Sequence, residues 1–261
     1  MRKIYIMLSL LVTVVACKKE GARLEIAPSL DPKLKSIRYY FVDKTFYDVR
    51  YAYDAYNRIV KVEQINENGT SIGAEDRYYN GDKLDSILTS DKQSRSKMTY
   101  IYRDGKLNSM RYYEYASTSG QFKLYYERLF EYIGSDISKT TDLYIQGGYN
   151  TFTVYTHHDQ NISETKTYLL ATNELIDDTQ YEYDDKRNPL YQDRPNKNDY
   201  SMLFNNRNNI VLEKYLYRKS QGVGEVKYKY TYNTNDYPVT QSIVGLHDQL
   251  IIDQAFSYMT D

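Results

Sequence analysis

Over most of the chain, aromatic residues alternate with polar ones, stop at a short polar break, and are followed by an aliphatic run. The clearest case is Arg50-Tyr51-Ala52-Tyr53-Asp54-Ala55-Tyr56-Asn57-Arg58-Ile59-Val60-Lys61-Val62. Two aromatics spaced by two residues share one face of a strand, Asp-x-x-Asn supplies turn chemistry, and Ile-Val-Lys-Val resumes a β-prone run, so the unit predicts a β-hairpin. It returns about eight times. With the second aromatic before each break as register mark, the units fall at Tyr53, Tyr79, Tyr102, Tyr132, Tyr155, Tyr183, Phe204 and Tyr232.

Two of the breaks, Asn80-Gly81 and Asp104-Gly105, are strong hairpin signals, because both central positions of such turns want positive φ. Tyr228, Tyr230 and Tyr232 fall on one strand face, with Lys227, Lys229 and Thr231 on the other. After the turns an aliphatic pair recurs three apart, Leu84 with Ile87 and Leu107 with Met110. That spacing breaks the period of two and predicts a bulge or a delayed strand start. A last run, Ala255-Phe256-Ser257-Tyr258, has no turn after it and reads as a closing strand. The expected fold is all-β: an antiparallel meander of about eight hairpins from about residue 36 to 258, closed or coiled into a barrel or spiral.

The beginning of the chain has a different pattern. Met1-Arg2-Lys3 is a basic tip, followed by an apolar run to Ala16 that is too short for a permanent membrane helix and reads as a secretory signal. Val14-Val15-Ala16-Cys17 resembles the lipobox of bacterial lipoproteins, in which the cysteine is lipidated and becomes the mature N-terminus. The domain expectation is therefore a signal peptide at 1–16, a lipidated Cys17 with a tether to residue 35, and a single β-repeat domain over 36–261. Two or more acyl chains suffice for stable attachment, so the expected partner is a membrane reached through the lipid anchor. Charged residues after the cysteine resemble surface-export signals of Bacteroidota lipoproteins, which places the chain at the outer membrane, facing the cell surface or the periplasm.

Composition narrows the function classes. Lys plus Arg number 34 against 35 for Asp plus Glu, so no global field favours nucleic acid. Cys17 is the only cysteine, which leaves no internal disulfide and no thiolate metal site. There are 32 tyrosines and no tryptophan, and tyrosine suits a sheet whose core is thin or partly wet. One face is tyrosine and the other carries Lys, Arg, Glu and Thr, so neither suits hydrocarbon; the aromatic face is expected inward in a water-soluble barrel.

Candidate chemistry is sparse. His157 and His158 fall in an expected turn where adjacent side chains diverge, His247 stands apart, and no ligand spacing accompanies them, so no metal is expected. Glu182, Asp184 and Asp185 cluster, yet Asp184 is explained by turn chemistry and Glu182 by the outward strand face. No nucleophile elbow or phosphate loop occurs. The expectation is a non-enzyme without cofactors. Tyr112, Tyr113, Tyr115, Tyr125 and Tyr126 flank Ala116-Ser117-Thr118-Ser119-Gly120 on a longer hairpin, and they are the candidate contact surface for a glycan, peptide or protein ligand. The alternative is that these rings cover the sheet's own core. Asp85-Ser86-Ile87 resembles an acceptor of bacterial O-glycosylation.

The repeat resembles the YD repeats of Rhs-type and teneurin-type proteins, with their Tyr-x-Tyr-Asp-x-x-Gly-Arg-Leu core. It looks still more like the tyrosine-rich lipoproteins of Bacteroidota grouped in a domain-of-unknown-function family described as having a porin-like fold. The resemblance covers about residues 36 to 258; Asp54, Asn80, Asp184, Asn205 and Asn233 hold the Asp/Asn position, and the glycine is mostly replaced by Asn or Asp. It implies a β-meander curled into a barrel or spiral, and no established activity. A structural, shell-like role without a small-molecule ligand is the alternative to binding.

Overall fold

Polar breaks in the sequence become chain reversals. The structure, a computed structural model, describes residues 32–145, 147–192, 206–218, 223–245 and 250–259. The first eight strands are β1 (Leu34–Tyr40), β2 (Phe46–Tyr53), β3 (Ile59–Asn66), β4 (Ser71–Asn80), β5 (Lys83–Asp91), β6 (Arg95–Arg103), β7 (Lys106–Ala116) and β8 (Gln121–Ile133). They are followed by β9 (Asp136–Tyr144), β10 (Thr151–His158), β11 (Asn161–Leu169), β12 (Leu175–Arg187), β13 (Asn208–Arg218), β14 (Gly224–Tyr232), β15 (Pro238–Val244) and β16 (Leu250–Tyr258). Each strand pairs with its neighbours in sequence, and β16 pairs antiparallel with β1, which closes the meander into a barrel. Ile37 lies opposite Phe256 across that seam, so the last aromatic run is the closing strand that the pattern predicts. β1 takes in Leu34 and Lys35, the last residues of the stretch read as a tether.

Up-and-down connectivity sorts the reversals onto two ends. Those after even-numbered strands share one end, here the turn end, with the start of β1 and the finish of β16; those after odd-numbered strands form the loop end. At the turn end Asp104 and Gly105 both have positive φ, 50° and 78°, as a type I′ turn requires. Asn80-Gly81 departs from that expectation. Asn80 stays in β4 opposite Lys83, so the turn is Gly81-Asp82, with glycine at the one position of a type II′ turn that needs positive φ (63°).

A bulge follows each of these turns. The pairing register passes over Val60, Asp85, Asn108, Ser138 and Ser163, in each case the residue that follows the first core residue of the strand. The same happens at Lys35 on the seam, Val211 and Val239. The extra residue resets the alternation, so the residue before the bulge and the second residue after it face the same way. This is the origin of the aliphatic pairs three apart: Leu84 and Ile87 are each 2 % exposed, Leu107 0 % and Met110 1 %.

Those residues face the lumen and anchor a second repeat. Near the end of each even-numbered strand a ring group bonds the carbonyl of the first core residue of the preceding strand. Tyr53 donates to Leu34, Tyr79 to Ile59, Tyr102 to Leu84 and Tyr132 to Leu107, over 2.7 to 3.0 Å. Tyr183 donates to Ile162, Tyr230 to Ile210 and Tyr258 to Pro238, over 2.6 to 3.0 Å. His157 takes the remaining place, its Nε2 2.8 Å from the Ile137 carbonyl. The ring is thus occupied by His157 and Tyr230 where the pattern marks Tyr155 and Tyr232. β10 runs three residues past Tyr155, whose hydroxyl meets Thr140 instead at 3.0 Å. Phe204, the seventh mark, lies outside the described residues; β12 and β13 are joined by a long connection that includes a 3₁₀ turn, Pro189–Gln192.

The outward face is charged at mid-strand. Arg38 and Asp48 pair at 2.8 Å, Arg111 and Glu127 at 3.0 Å, Lys139 and Glu131 at 2.9 Å, and Lys166 and Glu164 at 3.0 Å. Glu225, Lys227, Lys229 and Thr231 are all exposed along β14, while the intervening Val226, Tyr228 and Tyr230 turn inward and are half-buried.

Candidate functional site

The predicted contact tyrosines are divided by the pleat. Tyr112 and Tyr126 lie opposite each other on the lumen face of β7 and β8, rings stacked at 5.3 Å, and Tyr144 of β9 extends the stack at 5.4 Å from Tyr126. Tyr125 is the bulged residue of β8 and meets Tyr112 and Tyr144 edge-on at 6.1 and 5.9 Å. Tyr113 and Tyr115 point the other way. Tyr113 is opposite Leu124, and Tyr115 packs edge-on against Phe122 at 5.4 Å, with the Arg95 guanidinium 5.4 Å from its ring. Three of the five therefore gather in the lumen with Tyr144, beside a bidentate Arg128–Asp142 pair at 2.5 and 2.8 Å. Burial raises the Tyr126 hydroxyl pKa, which keeps that phenol protonated.

His157 and His158 end β10, and the turn itself is Asp159-Gln160, with φ of 49° and 68°. Because a carbonyl can only accept, His157 Nε2 carries the proton toward Ile137. His247 and Cys17 lie outside the described residues. Among the described residues no group of three or more His, Cys, Asp or Glu could hold a metal ion. The Glu182, Asp184 and Asp185 cluster disperses: Glu182 is exposed on the outer face, Asp185 is exposed and 3.7 Å from Lys186 Nζ, and Asp184 turns inward. Asp184 accepts the backbone N–H groups of Lys186 and Asn209 at 3.0 and 3.1 Å and a short hydrogen bond from the Tyr232 hydroxyl. Ser86 is 9 % exposed, which leaves its hydroxyl little access to a modifying enzyme.

A site with more chemistry lies under the β12–β13 connection. The described residues of this connection lie over the turn end, and Leu190, 7 % exposed, packs into the core cluster of Leu34 and Ile37 beside Tyr51, Phe256 and Tyr258. Asparagines fasten it. Asn206 Oδ1 accepts the Ile162 N–H at 2.7 Å, Asn188 Nδ2 donates to the Asn206 carbonyl at 2.9 Å, and Asn161 and Asn208 bond each other twice at 3.0 Å.

Below this cap, inward side chains of β1 and β13 to β16 enclose a cavity of about 180 Å³. Tyr215 and Tyr228 donate their hydroxyls to Glu213, at 2.6 and 3.3 Å. Asp253 also borders the cavity, its carboxylate accepting from Gln254 Nε2 at 3.2 Å, and Gln241 borders it at 8 % exposure. Burial, reinforced by Tyr47 and Asp253, pushes the Tyr39 hydroxyl up to about 12. Burial and the Glu213 carboxylate likewise raise Tyr228. The site is therefore aromatic, with the Tyr39 and Tyr228 phenols held protonated and two carboxylates on its wall. The alternation of β14 gives Tyr228 from sequence, but not Asp253. The β15–β16 register passes over Asp253 between Gln254 and Ile252, and that bulge, invisible in the pattern, gives the carboxylate its place on the cavity wall.

No protein-family model matches the chain, and no curated protein does. Solved structures do. A porin-like protein from Bacteroides vulgatus superposes with a TM-score of 0.56 at 13 % identity, covering 88 % of this chain and 99 % of that one. A porin-like protein from Bacteroides uniformis gives 0.55 at 10 % identity, covering 86 % and 96 %. The chain thus has the fold of these porin-like proteins, as its resemblance to a porin-like Bacteroidota family implies.

Proposed function

We propose that the protein is a non-enzymatic, ligand-binding lipoprotein of the outer membrane, held there by acyl chains on Cys17, with a YD-repeat-like barrel that stands in water rather than in lipid. The observation that carries this reading is the outer face. A Lys or Arg facing lipid at the bilayer midplane costs about 2–4 kcal/mol. Arg38, Arg111, Lys139, Lys166 and Lys227 all sit on outward faces in cross-strand or same-strand ion pairs. Burial of that set in hydrocarbon would cost on the order of 10 kcal/mol or more, so attachment through acyl chains suits this surface better than insertion. The porin-like fold of the two Bacteroides proteins supports the family and the compartment. The cavity under the cap supports binding over a purely structural shell, since a scaffold needs only the packed ring of tyrosines. The dispersal of the acidic cluster supports a non-enzyme.

The test is Cys17→Ser in the full chain, expressed in a Bacteroides host with radiolabelled palmitate. The variant should lose the label and move from the membrane fraction to the aqueous fraction without detergent. Retention of Cys17→Ser in carbonate-washed membranes would mean that the barrel itself is embedded, and would overturn the reading.

A further inference from the structure

We infer that the lumen cavity bordered by Glu213, Asp253 and Gln241 binds a small organic cation through its ammonium group, an assignment that rests on the ligand-binding reading above. Three independent features point there.

First, Gln241 is 8 % exposed and faces inward, opposite Tyr230 on one side and Gln254 on the other. Its carboxamide makes no hydrogen bond among the described residues and is not sealed off, since it borders the cavity. The residue is buried while its amide opens onto the cavity, so a hydrogen-bond partner for that amide has to come from the cavity side.

Second, the cavity wall is rich in acceptors. Glu213 takes two phenol hydrogens and has lone pairs left, Asp253 takes one amide hydrogen, and neither carboxylate has an ion-pair partner among the described residues. Among the described residues no lysine or arginine borders the cavity. The phenols of Tyr215 and Tyr228 have already spent their hydrogens on Glu213, which leaves few donors for a sugar hydroxyl or an anion. An ammonium group brings several N–H donors and a charge, and meets both needs.

Third, the aromatic rings are placed for it. Tyr228, Tyr230 and Phe256 border the same space as the carboxylates, and a cation over such a ring is attracted by its negative face, more strongly when water is scarce. The carboxylate field reaches these rings: Glu213 and Asp253 both add to the burial that raises the Tyr228 hydroxyl.

The experiment is calorimetric titration of the purified full chain with 1,4-diaminobutane and choline, against 1,4-butanediol and glucose as neutral probes. Saturable binding of an amine, at least about tenfold tighter than the diol and weakened by added salt, is expected. Glu213→Gln and Asp253→Asn should each weaken it about tenfold or more with the circular dichroism spectrum unchanged. Gln241→Glu should tighten it, which keeps the test alive if the carboxylate variants fold poorly. Equal affinity for diamine and diol, or amine binding that neither carboxylate variant nor Gln241→Glu alters, would overturn the assignment. Stabilisation by glucose but by neither amine would sink the cation assignment and leave the binding reading standing, whereas a panel flat for every probe overturns the cation assignment and shifts the ligand-binding reading toward the shell.

Discussion

Tyr102 shows why this chain is built on tyrosine. Its ring packs against the cluster of Leu84, Leu107 and Met110, while its hydroxyl reaches the Leu84 carbonyl at 3.0 Å. Each bulge frees that carbonyl from regular pairing, and a phenol can satisfy it from within the apolar layer, which neither phenylalanine nor leucine can do. Tyr102→Phe keeps the ring and orphans the carbonyl, so a loss of about 1 kcal/mol is expected in the urea midpoint; an unchanged midpoint would mean that water replaces the hydroxyl freely. The outer face yields a pH prediction. The Arg38 hydrogen bond holds the Asp48 carboxyl below the usual carboxylate range, against a smaller opposing effect of burial. The ionised form is thus favoured by folding, and its contribution is complete above the unfolded value of about pH 4 and is lost as pH falls through the lower folded value. Arg38 is 39 % exposed, which limits the pair to about 0.5–1 kcal/mol. Asp48→Asn should lower stability by that amount near neutrality and flatten the loss below about pH 4. At this scale the repeat announces the tyrosines and their face, but not His157, which a search for aromatics passes over although its N–H fills the same place.

Turn and bulge together make the repeating element, and both were legible because their chemistry is local. Gly105 sits at φ 78° with no atom near the place a Cβ would occupy, so any cost of substitution is backbone conformation alone. Gly105→Ala should lose about 1–2 kcal/mol and Gly105→Asn distinctly less, since asparagine tolerates this region. Equal losses from both in thermal unfolding would point instead to a side-chain clash. The spacing of Leu84 and Ile87 foretold the bulge, because a core residue on each side of an odd insertion leaves an aliphatic pair three apart. Asn80-Gly81 misled by one residue, since the dipeptide fits either turn type and strand length decides. The connection after β12 was harder. Asn205-Asn206-Arg207-Asn208-Asn209 has the composition of a turn, yet Asn206, Asn208 and Asn209 bond Ile162, Asn161, Lys186 and Asp184. Those partners come from elements distant in sequence, and no local pattern records them.

Closure belongs to the whole molecule. Fifteen of the sixteen strand pairings join neighbours in sequence, and the seam joins β1 to β16, with Ser36 and Ser257 bonded across 221 positions at 2.8 Å. The local pairings form with little loop entropy, whereas the seam must close the entire chain, so it is the step that converts a ribbon into a barrel. Without β16, β1 and β15 would expose two rows of unpaired backbone groups, and the lumen core of Leu34, Ile37 and Leu190 would lose the Phe256 and Tyr258 rings that cover it. A chain ending before Leu250 should therefore run as oligomers or aggregates in size exclusion with light scattering. Leu107→Ala removes a buried side chain within one hairpin, at a cost of about 2–5 kcal/mol, and should remain a monomer that unfolds earlier. If the truncated chain were instead monomeric and unfolded in one cooperative step, the strands would be held by their hairpins alone, and the closed barrel would be a consequence of the repeat rather than the state that stabilises it.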